Sequence, residues 1–330
     1  MDEGRRPLKV GVVGVGHLGS HHARIYHSAA GWELAVVFDT DPAKNQAAAE
    51  KYLLPVCRSM EDLFERVDAV SIVTPTDSHF TIAGEAAARG KHVLVEKPVC
   101  GTLEEAQKLA ANVAKAGVIA AVGHIERFNP AVQSLPERIG RPRFIEAHRL
   151  NQFSPRGLAT DVLLELMIHD IDLARWLTGS EPVEVHAAGV PVLSATDDIA
   201  NARLVFPGGC IANLTASRIS ANPMRKIRIF SQDHYTSVDL AAKSVESYRL
   251  FDAGSPMDGN YRTLAQLGER AIARWSAPAD VYDALEAELE DFRLAIAEQR
   301  APRVPIDEGV KSLKVALDVA RACREHVGAV

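Results

Sequence analysis

Three acids and a histidine sit in the middle of the apolar stretch "LLELMIHDIDLARWL", Leu163 to Leu177: Glu165, His169, Asp170 and Asp172. Glu165 and His169 are four apart, and His169 and Asp172 three apart, so on a helix they share one stripe. A helix apolar on its other sides is buried. The stripe must therefore face a partner, a cavity or a site. A histidine beside carboxylates can move a proton near neutral pH. The same stripe also has the i, i+4 spacing of two ligands to one zinc. No cysteine or second histidine accompanies it, so no metal is expected. The remaining alternative is a satisfied core histidine.

A second set of chemically suggestive residues lies near the start of the chain. "LKVGVVGVG" is a valine-rich run expected to form a buried strand from Lys9 to Val13. "GHLGSHHARIYHSAA" follows as a helix and "WELAVVFDTD" as the next strand. Gly14, Gly16 and Gly19 place G-x-G-x-x-G at the strand-to-helix turn of this β-α-β unit. The first glycine permits the tight turn, the second lets the backbone approach a pyrophosphate, and the third lets helix and strand pack closely. His17 and Leu18 complete the turn, where the helix N-terminus faces the phosphates. Asp39 stands twenty residues after Gly19, where a carboxylate reaches the ribose hydroxyls. With no arginine at Thr40 or Asp41, NAD is favoured over NADP.

These residues need a scaffold. The alternation continues with "PAKNQAAAEKY" (helix), "DAVSIVTPT" (strand), "HFTIAGEAAARG" (helix), "KHVLVEKPV" (strand), "TLEEAQKLAANVAKAG" (helix) and "VIAAVGH" (strand). That is an α/β Rossmann domain with a doubly wound parallel sheet, expected over residues 1–124. Its strand ends carry "TPTDSH", "EKP" and "GHIERFNP", where such folds bind ligands. From residue 125 to 304 seven strand-like segments, "PRFIEAHRL" to "SVESYRLF", with helices before and after, indicate an α+β domain with a large, mostly antiparallel open sheet. Residues 252–280 are expected to be loop and short helix. The open sheet face would need a partner, so a homodimer or homotetramer is expected.

Composition limits the function classes. The 330 residues are 47% hydrophobic and 24% charged, as in a soluble two-domain protein. A net charge of −6 argues against nucleic acid as a partner. Cys57, Cys100, Cys210 and Cys323 form no CxxC pair and suit a reducing compartment. No run approaches the length of a membrane span and no apolar signal core opens the chain, so no membrane partner and a cytoplasmic location are expected.

Glu96-Lys97-Pro98 after a Rossmann strand, "TPTDSH" one β-α unit earlier and "HDID" on a later helix resemble the glucose-fructose oxidoreductase/inositol dehydrogenase/rhizopine-catabolism family. The tail "RVPIDEGVKSLKVALDVARAC" is similar to the family's closing helix, here 305–326, which packs back on the first domain. The resemblance implies an NAD-dependent dehydrogenase. Lys97 would bind the reacting hydroxyl and His169 would be the acid/base. Glu165 would stand where the family usually has aspartate. Pro75 and His79 would line the nicotinamide end of the cofactor site, Thr74, Thr76, Glu96 and Lys97 would also bind the cofactor, and the 165–169–172 stripe would face the cleft between the domains. "GHIERFNP" and "LLELMIHDID" resemble the branch acting on UDP-N-acetylglucosamine, at C3, within lipopolysaccharide or lipid A synthesis. Its diphosphate would need cations, with Arg127, Arg156, Arg218 and Arg225 as candidates and Asn129 beside them. A free polyol, an inositol or an aldose is the alternative substrate. A dinucleotide sensor without catalysis is the alternative from another class, and the presence of both Lys97 and His169 argues against it. NAD is expected to bind about tenfold or more tightly than NADP; equal affinities by calorimetry would contradict the role given to Asp39.

Overall fold

The computed structural model describes residues 6–135, 139–153, 161–252, 261–278 and 282–328. The chain forms two compact units, Met1–Ile125 with Leu285–Leu313, and Glu126–Ala284 with Lys314–Val330.

The first unit runs β1 (Leu8–Val13), α1 (His17–Ser28), β2 (Trp32–Phe38), α2 (Pro42–Lys51), α3 (Met60–Arg66), β3 (Ala69–Ile72), α4 (His79–Ala88), β4 (His92–Glu96), α5 (Leu103–Ala116) and β5 (Ala120–Gly123). Its five strands are parallel in the order β2-β1-β3-β4-β5. β3 and β5 are buried at every position, the signature of a parallel sheet covered on both faces. Strand order reverses between β1 and β3, which makes the crevice beyond their carboxyl ends the place for a ligand. Local signals act as expected: Thr102 and Glu105 cap α5 reciprocally, and Gly117 ends it in the left-handed region at φ 66°. α3 is an added short helix, capped by Ser59.

The second unit contains α6 (Pro130–Gln133), β6 (Phe144–Leu150), a π-helical turn Leu163–Met167, α7 (Ile168–Thr178), β7 (Glu184–Val190), β8 (Ile199–Val205), β9 (Ile211–Ser217), β10 (Met224–Phe230), β11 (His234–Asp239), β12 (Ser244–Asp252), β13 (Tyr261–Leu267) and β14 (Arg270–Pro278). The nine strands lie in the order β13-β14-β12-β11-β10-β6-β9-β8-β7, antiparallel except for β6 with β9. Alanines 147, 202, 212 and 216 face the same core as Ile168, Ile171 and Ala174, so small sheet residues let the helix approach closely. The "FPGGC" turn joins β8 to β9 with Gly208 and Gly209 both at positive φ. Within the region 252–280, where loop and short helix were expected, residues 261–278 differ: β13 and β14 form a hairpin, and β14 pairs with β12 over its full length; residues 253–260 and 279–280 lie outside the described residues. A strand edge offers hydrogen bonds to any neighbouring backbone, and local propensity does not reveal that offer.

The last two helices are α8 (Ala284–Glu298) and α9 (Ile306–Gly328). α8 was expected within the second domain. It groups with the first, where Leu285, Leu289, Phe292 and Ile296 make one helical face and Phe292 stacks on Trp32 at 6.0 Å. Each such side chain contributes roughly 1.5–3 kcal/mol by leaving water. α9 divides: its residues through Leu313 belong to the first unit, where Gly309 lies against Val122, and the rest to the second.

α8 also buries Glu288, 3% exposed, with neither carboxylate oxygen hydrogen-bonded among the described residues. Burial, then the charges of Glu96 and Asp291, push its carboxyl well above the usual glutamate range. A carboxyl raised in this way favours the folded state below its ordinary value and loses that contribution as pH rises through the folded one. Glu288→Gln is therefore expected to melt higher than wild type at about pH 8, with the gap closing toward about pH 4. A gap independent of pH would overturn this account.

Candidate functional site

In the first unit the glycine turn has the shape a dinucleotide needs. Gly14 sits at φ 85°, and a Cβ there would lie 2.6 Å from the Val73 carbonyl oxygen. A Cβ on Gly19 would meet the Gly14 carbonyl oxygen at 1.8 Å. Gly16 is different: nothing lies within 4 Å of an added Cβ, and with His17 and Leu18 it is exposed. Only glycine serves at the first and third positions for packing, whereas the second presents bare backbone. Gly16 caps α1 without a side-chain hydrogen bond, so the first turn keeps N–H groups for an anion. Asp39 accepts from Val15 N at 2.9 Å through one oxygen and from Asp41 N at 2.9 Å through the other. The carboxylate is thus anchored to the turn, and each oxygen keeps a lone pair for a ribose hydroxyl. These residues fit NAD.

At the ends of β3 and β4, Ser78 Oγ donates to the Pro75 carbonyl and lies in hydrogen-bond contact with the Thr74 hydroxyl, both at 2.7 Å, and closes a short 3-10 turn Thr76–Ser78. Lys97, partly exposed, follows β4 and is joined to Pro98 by a cis peptide bond. Glu96 points the other way. It is 8% exposed, 3.2 Å from His22 Nε2, and a Cβ on Gly123 would lie 2.7 Å from its carboxylate. His22 Nδ1 is 2.8 Å from Ser71 Oγ. Burial, opposed by Ser71 and reinforced by Glu288 and Glu96, raises the nearby Tyr26 phenol. Glu96 was expected to bind the cofactor. Instead it anchors the base of the turn that presents Lys97. Sequence reasoning missed His22, Ser71 and Glu288; the one available signal was a histidine three residues past Gly19, on the buried face of α1.

In the second unit the polar stripe divides. Asp172, 1% exposed, accepts from Arg127 Nε at 2.6 Å and a second guanidinium nitrogen at 3.0 Å, and Arg127 stacks on Trp176. Asp170, 3% exposed, takes the same fork from Arg149 at 3.0 and 2.9 Å, and Arg149 also reaches Glu126 at 2.8 Å. Burial opposes the charge on Arg149, but Asp170 and Glu126 outweigh it and hold the guanidinium firmly protonated. Glu165, on the π turn, and His169, on α7, remain partly exposed. A π turn inside a helix often marks a functional position. The metal alternative loses its third ligand to Arg127, and among the described residues no group of three or more histidine, cysteine or acidic side chains could hold a metal.

The arginines named for a diphosphate fare unequally. Arg127 is committed to Asp172. Arg218 is buried and donates to Asp198 at 2.7 Å, and to Ser194 and Thr196. Asp198 also accepts from the backbone of Val192, Leu193 and Ser194; burial works against its charge, yet these donors hold it well below the usual range. Asn129 caps α6 and bonds Glu126 and the Leu240 carbonyl. Buried and internally bonded, these three residues hold the unit together. Arg225 is exposed on β10 and makes no ion pair among the described residues. Arg156 lies outside the described residues.

The doubly wound sheet, glycine turn and anchored Asp39 define a dinucleotide-dependent oxidoreductase. Residues 8–124 match the model of the GFO/IDH/MocA oxidoreductase family, NAD-binding Rossmann fold, and residues 136–234 match the GFO/IDH/MocA C-terminal domain. The chain belongs to this family. It is 40% identical over 314 residues to the UDP-N-acetylglucosamine 3-dehydrogenase of Acidithiobacillus ferrooxidans, covering 94% of this chain and 96% of that one. A solved structure of that enzyme superposes with a TM-score of 0.86 at 38% identity, over 96% of this chain and 98% of that one. The scyllo-inositol 2-dehydrogenase (NAD(+)) of Bacillus subtilis is 32% identical over 64% of this chain and 68% of its own length.

Breaking a buried ion pair from one side costs about 3–5 kcal/mol, because the remaining charge stays buried. Arg127→Met is therefore expected to lower unfolding free energy in urea by about that amount. Unchanged stability with lost affinity for a UDP-sugar would restore Arg127 as a ligand.

Proposed function

We propose that the protein is an NAD-dependent dehydrogenase that oxidises a secondary hydroxyl of a sugar nucleotide, at C3 of UDP-N-acetylglucosamine. The observation that carries this reading is the 40% identity, over nearly the whole of both chains, to an enzyme named for that reaction. When bound, the nicotinamide accepts the hydride. Lys97 hydrogen-bonds the reacting oxygen and stabilises its developing negative charge. His169 takes the hydroxyl proton, so the alcohol loses a hydride and a proton and becomes a ketone. His169 Nδ1 is buried, which supports Nε2 as the nitrogen that takes the proton. Glu165, one turn earlier, orients the ring or contacts the sugar.

With Arg127 and Arg218 committed elsewhere, Arg225 is the described cation that supports a diphosphate contact. A free inositol or polyol is the second reading, supported by the scyllo-inositol relative, which has no diphosphate to hold. Assembly through the open face of the sheet, in the cytoplasm, completes the proposal; exposed Leu264 and Leu267 on β13 support it.

A panel of UDP-sugars, polyols and aldoses, followed by NADH absorbance, decides between the two substrates. Lys97→Met is expected to reduce turnover by about two orders of magnitude with NAD binding nearly intact. His169→Ala is expected to lower turnover sharply and to remove a pH-dependent limb near neutrality. Either variant retaining more than about a tenth of wild-type turnover would sink the role given to that residue.

A further inference from the structure

His79 was expected to line the nicotinamide end of the cofactor site. Its ring is instead 1% exposed, with both nitrogens turned onto backbone. Nδ1 is 2.9 Å from the Pro98 carbonyl oxygen and Nε2 is 2.9 Å from the Thr74 carbonyl oxygen. A carbonyl oxygen only accepts. A neutral imidazole carries one N–H and one lone pair, so it satisfies one of these contacts and aims a lone pair at the other oxygen. An imidazolium donates at both ends, and charge-assisted bonds are the stronger kind.

We propose that His79 is a doubly protonated bracket that ties the loop after β3 to the turn after β4, and is thereby a positioning residue for Lys97. Thr74 opens the segment Thr74–Pro75–Thr76, and Pro98 immediately follows Lys97. A single rigid ring fixes the spacing between them. Loss of one proton releases one carbonyl and loosens the lysine turn. The groups around the ring do not supply a competing explanation. Asp77, on the turn before α4, is exposed. Lys97 and Cys100 flank the Pro98 side, and burial pushes the Cys100 thiol up to about 12, so it carries no charge. Among the described residues no carboxylate lies within 4.0 Å of either ring nitrogen. The two carbonyls are the ring's partners.

The positioning role rests on the proposed reaction; the proton count does not. The first test is nitrogen NMR of protein labelled at histidine, at about pH 7. The His79 ring is identified by its absence in His79→Phe, or in His79→Gln if the first variant does not fold. Two slowly exchanging ring protons are expected, and a single one overturns the bracket. The second test is His79→Gln, whose one amide arm reaches a single carbonyl at a time. Turnover is expected to fall about ten- to a hundredfold through misplacement of the lysine. The NAD dissociation constant should stay within about a factor of three. Weakened NAD binding with unchanged turnover would place the ring against the cofactor and overturn the proposal. Wild-type protein that oxidises no sugar or polyol would refute the proposed reaction, and the proton count would still decide the bracket.

Discussion

An ionised side chain can leave water only if other groups replace the water's hydrogen bonds. That constraint sorts nearly every polar residue of this protein. In the second unit Asp170 and Asp172, neighbours of His169, are each held by an arginine fork. Asp198 draws on an arginine and three backbone N–H groups. In the first unit Asp39 is held by backbone N–H groups and Glu96 lies beside His22. Lys97 in the first unit, and Glu165 and His169 in the second, are each partly exposed, and their chemistry suits a hydroxyl.

The same pairings make the framework stiff where chemistry needs it. Two arginines, on different segments, grip successive acidic residues of one helix. The imidazole of His169, immediately before those acids, is thereby carried on a helix that cannot rotate without breaking both forks. On the first unit, Glu96 and Pro98 bracket Lys97, and each is tied to a different buried histidine, His22 and His79. A side chain flanked by fixed neighbours loses less freedom when it meets a ligand. Glu288 is the exception to the pairing rule, a buried carboxyl with no hydrogen-bond partner among the described residues.

Much of the fold is legible in the sequence alone. Strand and helix periodicity, the capping box at Thr102 and the glycine turn each carry their information within a few residues of one another. The doubly wound sheet, the carboxyl-end placement of "TPTDSH" and "EKP" and the open, mostly antiparallel second sheet followed from that local grammar. The hairpin of β13 and β14 did not, because its strands are specified by the edge of β12 that receives them. α8 was recognised as a helix, but its neighbours were not, since an apolar stripe says that something covers it and not what.

For the site the division is equally physical. Residue type and spacing by themselves pointed to Gly14, Gly16, Gly19 and Asp39 as one turn fitted to a dinucleotide, since those constraints act within one β-α-β unit. The helical stripe singled out His169 as a group able to handle a proton, and the resemblance to the family pattern pointed to Lys97. Tertiary structure alone decided which arginines were spent on ion pairs, that Glu96 lies beside His22, and that both nitrogens of His79 face carbonyls. Arg127 and Asp172 are 45 positions apart, and Arg218 and Asp198 are 20 apart. Nothing in the linear order distinguishes an arginine that will meet a carboxylate from one that will meet a phosphate. The two anions make the same demand on a guanidinium, and only the folded chain shows which of them reaches it first.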